Sequence, residues 1–183
     1  MSQPTVPQRA GIIYTYYAIV PDTAGQRVLL LPGQAGWTLP CWETAERYFW
    51  QSVDRVNRVL RDRLGIDVTT LRCLRIADRQ EDGYVRVEIV YAMENHNPVW
   101  TPPSGGRWTA GDELDGLTLA MPEHHAILRN WFIHAAETSP LAHNPPWYAP
   151  GWFAAAIAWI QAQLDHHGLA ATAPVEQLRS WER

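Results

Sequence analysis

The chain has 183 residues, of which 46% are hydrophobic and 19% charged, and its formal net charge is -4. This composition predicts a folded globular protein and excludes a largely disordered one. The acidic balance disfavours a general nucleic-acid-binding protein, and no stretch has the roughly 20 apolar residues of a membrane-spanning helix. Residues 1–10 lack the apolar core of a secretory signal. We therefore expect a cytoplasmic protein with no nucleic-acid or membrane partner.

The first part of the chain has the pattern of β-structure. Residues 11–20 (GIIYTYYAIV) and residues 27–31 (RVLLL) are rich in β-branched, aliphatic and aromatic side chains, and a PDTAG turn separates them. We predict two strands joined as a hairpin. Residues 32–36 (PGQAG) are expected to break the second strand, and residues 37–40 (WTLP) form a short extended segment that ends at proline.

A change of period then predicts the first helix, from about residue 45 to residue 64. Apolar residues recur there in steps of three and four, which places them on one helical face. They are Phe49, Val53, Val56, Leu60 and Leu64. Gly65 follows at the position typical of a helix C-cap.

Two long strands are predicted next, at residues 68–77 and 84–93, and in the second of them the residues alternate between two faces. The loop between them, residues 78–83 (DRQEDG), is typical of a hairpin turn. A short strand and a turn are expected within residues 107–119, and a second helix within residues 122–136, with proline in its first turn.

The C-terminal part has a different composition. Residues 139–150 are rich in proline, and a third helix is predicted at about residues 151–167. We therefore divide the chain into a domain at residues 1–138 and a segment of linker, helix and tail at residues 139–183.

The order of these elements and two short motifs resemble the Nudix superfamily. Its signature is G-x5-E-x7-R-E-U-x-E-E-x-G-U, where U is a bulky aliphatic residue, and it often follows a W-x-L-P segment such as residues 37–40. With Gly65 and Ile66 as the final G-U pair, Arg58 falls on the signature arginine and Leu60 on the aliphatic position. The resemblance implies an α/β fold in which helices flank a mixed β-sheet, followed by a C-terminal linker helix.

The metal-binding half of this signature is degenerate. Val59 stands where the first helical glutamate is expected, Asp62 and Arg63 stand in place of the Glu–Glu pair, and Cys41 and Trp42 replace the usual Gly–Gly. In a working Nudix helix, glutamates on one face hold divalent cations that bridge a diphosphate and activate water. The resemblance therefore implies that this helix has lost metal-dependent hydrolysis and holds no metal or cofactor.

Three functions remain open at this point. The first is a catalytically inert binding or regulatory module for a nucleotide-like or other small ligand, with Trp37, Trp42 and Arg58 as ligand-binding positions. The second is an active hydrolase of a nucleoside-diphosphate-type substrate, which would use Mg²⁺, Asp62 and a carboxylate from elsewhere such as Glu88. The third is a structural domain that dimerises through a tryptophan-rich surface, since the chain has 10 tryptophans.

Two of these positions also have simpler interpretations. Arg58 either meets a phosphate through its planar guanidinium group or pairs with Asp54 or Asp62 at four-residue spacing. Glu88 either supplies an additional carboxylate or is a solvent-facing position in a strand. None of the seven histidines has the spacing of an H-E-x-x-H zinc motif, so we expect no metal site from them.

Residues 145–181 resemble the junction that precedes aminoglycoside-phosphotransferase-like kinase domains. This resemblance implies a regulatory domain that packs against a C-terminal kinase-like domain. The kinase's own H-x-D-x-x-x-x-N motif is absent from the sequence, so no phosphotransfer is assigned to it. The alternative is a C-terminal helix that folds back on the core or pairs two subunits into a homodimer.

Overall fold

The computed structural model describes residues 11–48, 52–81, 83–136 and 151–170. The strands within these ranges are β1 (Gly11–Ile19), β2 (Arg27–Gly33), β3 (Gly36–Thr38), β4 (Cys41–Thr44), β5 (Val68–Glu81), β6 (Tyr84–Asn95) and β7 (Arg107–Ala110). The helices are α1 (Asp54–Leu64), α2 (His124–Ala136) and α3 (Trp152–His166), and a 3-10 helix spans Gly111–Gly116. No helix in the described ranges has both the length and the apolar character needed to cross a bilayer.

The strands form one mixed sheet and one smaller sheet. The four-stranded sheet has the order β4-β1-β6-β5, and the three-stranded sheet has the order β3-β2-β7. Strand β6 pairs in parallel with β1 and antiparallel with β5, while β4 pairs antiparallel with β1. The predicted mixed sheet is therefore confirmed.

The helices cover the two faces of the four-stranded sheet. On β6, Ile89, Tyr91 and Met93 belong to a core cluster that includes residues of α1, which we call the α1-side cluster. Val90 and Ala92 alternate with them and belong to a second cluster that includes residues of α2, which we call the α2-side cluster. Because alternate side chains of a strand point to opposite faces, α1 and α2 flank the sheet as predicted.

Helix α1 is fixed by its apolar stripe and by its end. Val56 and Leu60 are buried in the α1-side cluster, and the buried Asn57 side chain accepts a hydrogen bond from the Thr70 hydroxyl at 2.7 Å. Gly65 has φ 64 and its N–H donates to the Arg61 carbonyl at 2.8 Å. This left-handed cap confirms the predicted helix end, since glycine adopts the conformation without strain.

The predicted start of this helix, near residue 45, is wrong, because α1 begins at Asp54. Strand β4, which precedes it, is paired with β1. The Tyr48 N–H then donates to the Tyr16 hydroxyl at 2.7 Å, which ties the chain to the sheet before the helix can start. Phe49, the first residue of the predicted stripe, lies outside the described residues.

The predicted hairpin of the first two strands is also wrong. Both edges of β1 are occupied, by β4 and β6, whereas β2 pairs with β3 and β7. The chain turns tightly after β1, with a single bridge between Pro21 and Val28, and then enters the other sheet. Strand β2 also continues through Pro32 to Gly33, where it pairs with β3, so the expected break at Pro32 does not occur.

The later elements agree with the sequence pattern apart from their lengths. Strands β5 and β6 extend further than predicted, and Glu81 pairs with Tyr84, so the hairpin loop is short and contains Gly83 with φ 84. The short strand, the turn and the second and third helices are all present. The predicted linker at residues 139–150 lies outside the described residues, as does the tail from residue 171.

Replacing Gly36 with alanine should destabilise the protein severely. Gly36 has φ +127, and a Cβ atom there would lie 2.4 Å from the Thr118 carbonyl oxygen, which is a backbone atom. We expect Gly36→Ala to lower the free energy of unfolding by about 3 kcal/mol or more in urea titrations. The matched control is Gly25→Ala, which also has a positive φ (+69) but no atom within 4 Å and should cost only about 1–2 kcal/mol. Equal losses in the two variants would contradict this packing.

Candidate functional site

The signature positions on α1 are used for packing and for local ion pairing. Val59 is half-buried and packs against the α1-side cluster. Arg58 is exposed and its Nη2 lies 3.3 Å from Asp54 Oδ2, so it forms an i,i+4 surface pair. Asp62 and Arg63 are exposed side by side near the C-terminal end of the helix.

These side chains do not fit the divalent cation of a Nudix signature. Magnesium requires several oxygen ligands in near-octahedral order. The three signature positions offer an aliphatic group at Val59, one carboxylate at Asp62 and a guanidinium at Arg63. In the part of the chain that the structure describes, no three His, Cys, Asp or Glu side chains are grouped so as to hold a metal ion.

An aromatic stack packs under α1. Trp42 is 4% exposed and stacks on Tyr16 with ring centroids 5.4 Å apart and planes 16° apart. Tyr16 also stacks on Tyr48 at 4.9 Å and on Tyr91 at 6.4 Å, and burial raises its pKa. The Trp42 Nε1 is buried and has no hydrogen-bond partner among the described residues. The proposed ligand-binding residue Trp42 is thus a core residue that retains one unused donor.

Glu88 lies on the opposite face of the sheet. Its position on β6 alternates with the α1-side residues, and its side chain is only 5% exposed. The Arg79 Nη2 lies 3.9 Å from Glu88 Oε1 and 2.9 Å from Glu123 Oε1. The solvent-facing interpretation of Glu88 is therefore wrong. Since Asp62 belongs to a helix on the other face, the structure does not bring Asp62 and Glu88 together.

Two further buried titratable groups lie on the same face as Glu88. Tyr17 is 7% exposed, and its burial, followed by the nearby Cys41 and Glu88, raises its pKa to about 12. His124, at the start of α2, is 2% exposed and meets Tyr17 edge to face at 4.5 Å between ring centroids. Burial lowers the pKa of His124 to about 4, so its imidazole is neutral at pH 7.

Sequence reasoning missed His124 and Tyr17 although their spacing contains a signal. His124 precedes the buried Leu128 and Trp131 by four and seven residues, which are the spacings of one helical face. Tyr17 alternates with apolar residues along a strand that is buried on both faces. Both patterns predict burial of a polar ring. The adjacency of His124 and His125, by contrast, bears only on metal-ligand spacing.

Trp37 has different surroundings from Trp42 and Arg58. It is half-buried, packs against the α2-side cluster, and has the Arg107 guanidinium carbon 5.8 Å from its ring centroid. Its backbone N–H donates to the Thr118 carbonyl at 2.8 Å. The structure thus places Trp37 and Trp42 in separate clusters, with only Arg58 and part of the Trp37 ring open to solvent.

The buried His124 predicts a loss of stability in acid. The folded protein holds this group neutral down to about pH 4, whereas the unfolded chain protonates it near pH 6.5. Above pH 6.5 this histidine is neutral in both states and does not change the stability. As the pH falls from 6.5 to 4, the free energy of unfolding should decrease by about 3 kcal/mol. We expect urea titrations between pH 7 and 4 to show this slope for the native chain and a shallower one for His124→Gln. Parallel slopes in the two proteins would refute the assignment.

Comparison with known proteins supports the fold. No family model matches the sequence, and the curated proteins contain no match either. The solution structure of the E. coli ORF135 protein is similar, with a TM-score of 0.52, 20% identity and coverage of 70% of this chain and 94% of that one. A C. elegans Ap4A hydrolase has a TM-score of 0.52 at 15% identity, with coverage of 68% and 99%. A binary complex of a C. elegans Ap4A hydrolase gives a TM-score of 0.51 at the same identity. The mixed sheet flanked by helices is the Nudix fold, which confirms the predicted fold class.

Proposed function

We propose that this Nudix-fold chain is a ligand-binding or regulatory module that does not hydrolyse its ligand through α1 and uses no metal cofactor. The observation that carries the proposal is the packing of Val59 against the α1-side cluster. A residue that contributes to the core at the position of a metal-binding glutamate serves stability instead of cation binding.

Arg58 is the residue we propose for contact with the phosphate of the ligand. The Arg58 side chain is 64% exposed, and its pair with Asp54 is worth at most about 1 kcal/mol, so a phosphate can replace the carboxylate. A guanidinium group binds phosphate through two parallel hydrogen bonds. Trp37 packs against the α2-side cluster, so it is a separate candidate position, suited to stacking on a planar group. A nucleotide-like or other small phosphorylated ligand matches this chemistry.

A structural interaction domain is the second candidate, and exposed apolar side chains on α3 favour it. Trp159 is 65% exposed and Ile160 is 37% exposed. Contact of this surface with a second copy, or with a C-terminal kinase-like domain, would remove it from water. The hydrolase alternative gains no support from Asp62 and Glu88, because they lie on opposite faces of the sheet.

A thermal-shift screen tests the proposal. Nucleotides, sugar nucleotides and dinucleotides are each added with and without magnesium. A ligand at a hundred times its Kd should stabilise the native state by about 2.7 kcal/mol, and we expect the same shift in both conditions. Arg58→Ala should reduce that shift, whereas Arg129→Ala, which removes an exposed arginine of α2, should not.

Three results would contradict this expectation in different ways. A shift that requires magnesium, or release of phosphate or nucleoside monophosphate that Asp62→Ala abolishes, would restore the hydrolase. An equal loss of shift in Arg58→Ala and Arg129→Ala would remove Arg58 from the site. Absence of any shift across the panel would reject ligand binding and leave the interaction domain.

A further inference from the structure

The N-terminus of α3 is held by a buried carboxylate from the sheet. Glu94 lies near the end of β6, and its side chain is 6% exposed. Its Oε2 accepts a hydrogen bond from the Gly151 N–H at 2.9 Å, and its Oε1 accepts one from the Ala154 N–H at 3.0 Å. We propose that Glu94 is a latch that docks α3, and that the helix is a strap which is released when this carboxylate is lost.

The chemistry of a helix start explains why this contact is strong. The first four N–H groups of a helix have no partner within the helix, and they carry a partial positive charge. A serine, threonine, aspartate or asparagine usually caps them from the N-cap position. Here the N-cap is Gly151, with φ 88 and no side chain, so the cap comes from a residue distant in sequence. An ionised carboxylate makes charge-assisted hydrogen bonds of about twice the ordinary strength.

The helix buries little of its own surface. No residue of α3 is buried in the described part of the chain, and Phe153, Ile157 and Leu164 are only partly covered. Most helices in folded proteins are stabilised by burying an apolar face rather than by a cap. The docking of α3 therefore depends unusually strongly on the two hydrogen bonds to Glu94.

The His96 ring lies between the Glu94 carboxylate and the Thr69 hydroxyl. The His96 Nδ1 lies 3.6 Å from Glu94 Oε1. On the other side of the ring, His96 Nε2 lies 2.7 Å from the Thr69 hydroxyl oxygen, which is on the neighbouring strand β5. The proposal therefore rests on the two hydrogen bonds from α3 to Glu94, with His96 as a polar neighbour of the carboxylate.

On this proposal the exposed surface of α3 has two states, one with the helix docked and one with it released. With Glu94 bonded, α3 is held at its N-terminus and presents Trp159 and Ile160 in a fixed place. Without that bond, the helix and its exposed tryptophan are free to move as a unit. This inference does not depend on the proposed ligand, because it uses none of the residues assigned to ligand binding.

Hydrogen exchange of the full chain, read by mass spectrometry, tests the latch. Glu94→Gln keeps the shape of the side chain but removes its charge and one of its two acceptors. We expect amides in α3 to exchange about tenfold faster or more in this variant, while amides of α1 and β6 stay at native rates. The matched control is Glu113→Gln, since Glu113 also accepts a backbone N–H, from Ala110 at 2.7 Å, but lies at the 3-10 helix. Native exchange rates in α3 of Glu94→Gln would overturn the proposal.

A second variant tests the latch from the helix side. Ala154→Pro removes the N–H that donates to Glu94 Oε1, and proline is tolerated in the first turn of a helix. The same rise in α3 exchange is expected, again without a change in α1 and β6. If Glu94→Gln raises exchange throughout the domain, Ala154→Pro becomes the test of whether Glu94 holds α3. Unchanged α3 exchange in Ala154→Pro would then reject the latch.

Discussion

Strand β6 is paired on both edges, and its residues 88–95 are buried. Its side chains therefore alternate between two cores. The pairing register of the strand is fixed, because a shift of one residue would exchange the side chains of the two faces. Tyr91 and Met93 pack toward α1, whereas Glu88 and Ala92 point to the face of α2. The same alternation carries Glu94 to the face away from α1, where it meets the start of α3. The positions of all three helices depend on this register.

The residues that hold α1 in the fold differ from those that would bind a metal. Helix α1 is held in place by its apolar stripe, represented by Val56 and Leu60, and ends at Gly65. Carboxylates on the exposed face of the helix would contribute little to this packing, so the fold alone does not determine whether the helix binds a metal. At Val59 the side chain adds an apolar contact to the core. The proposed function as a binding module rests on that contact.

The sequence predicts the positions of the helices and strands better than it predicts which strands pair with each other. The end of α1 at Gly65 and the alternation along β6 follow from local patterns that dihedral preferences and burial enforce. The pairing of β1 does not, because the neighbour of a strand is chosen by the whole sheet and not by the nearest turn. The predicted start of α1 was wrong for the same reason, since a hydrogen bond to the distant Tyr16 holds the chain in front of the helix.

The candidate site shows the same limit. Val59, Asp62 and Arg63 could be assigned from the signature because their spacing is local to one helix. The burial of Glu88 depends on Arg79 of β5 and Glu123 next to α2, which no spacing along β6 indicates. The bond between Glu94 and α3 joins residues 57 positions apart, and only the folded sheet brings them together.

Binding of Mn²⁺ in the absence of nucleotide, followed by its electron paramagnetic resonance signal, tests the central claim that α1 does not serve as a metal-binding helix. Mn²⁺ replaces Mg²⁺ at oxygen ligands and loses its free-ion signal when bound. With α1 packed through Val59, the account predicts that the protein leaves the free Mn²⁺ signal unchanged. Saturable, stoichiometric loss of the signal that Asp62→Asn abolishes would contradict it, and would return α1 to catalysis.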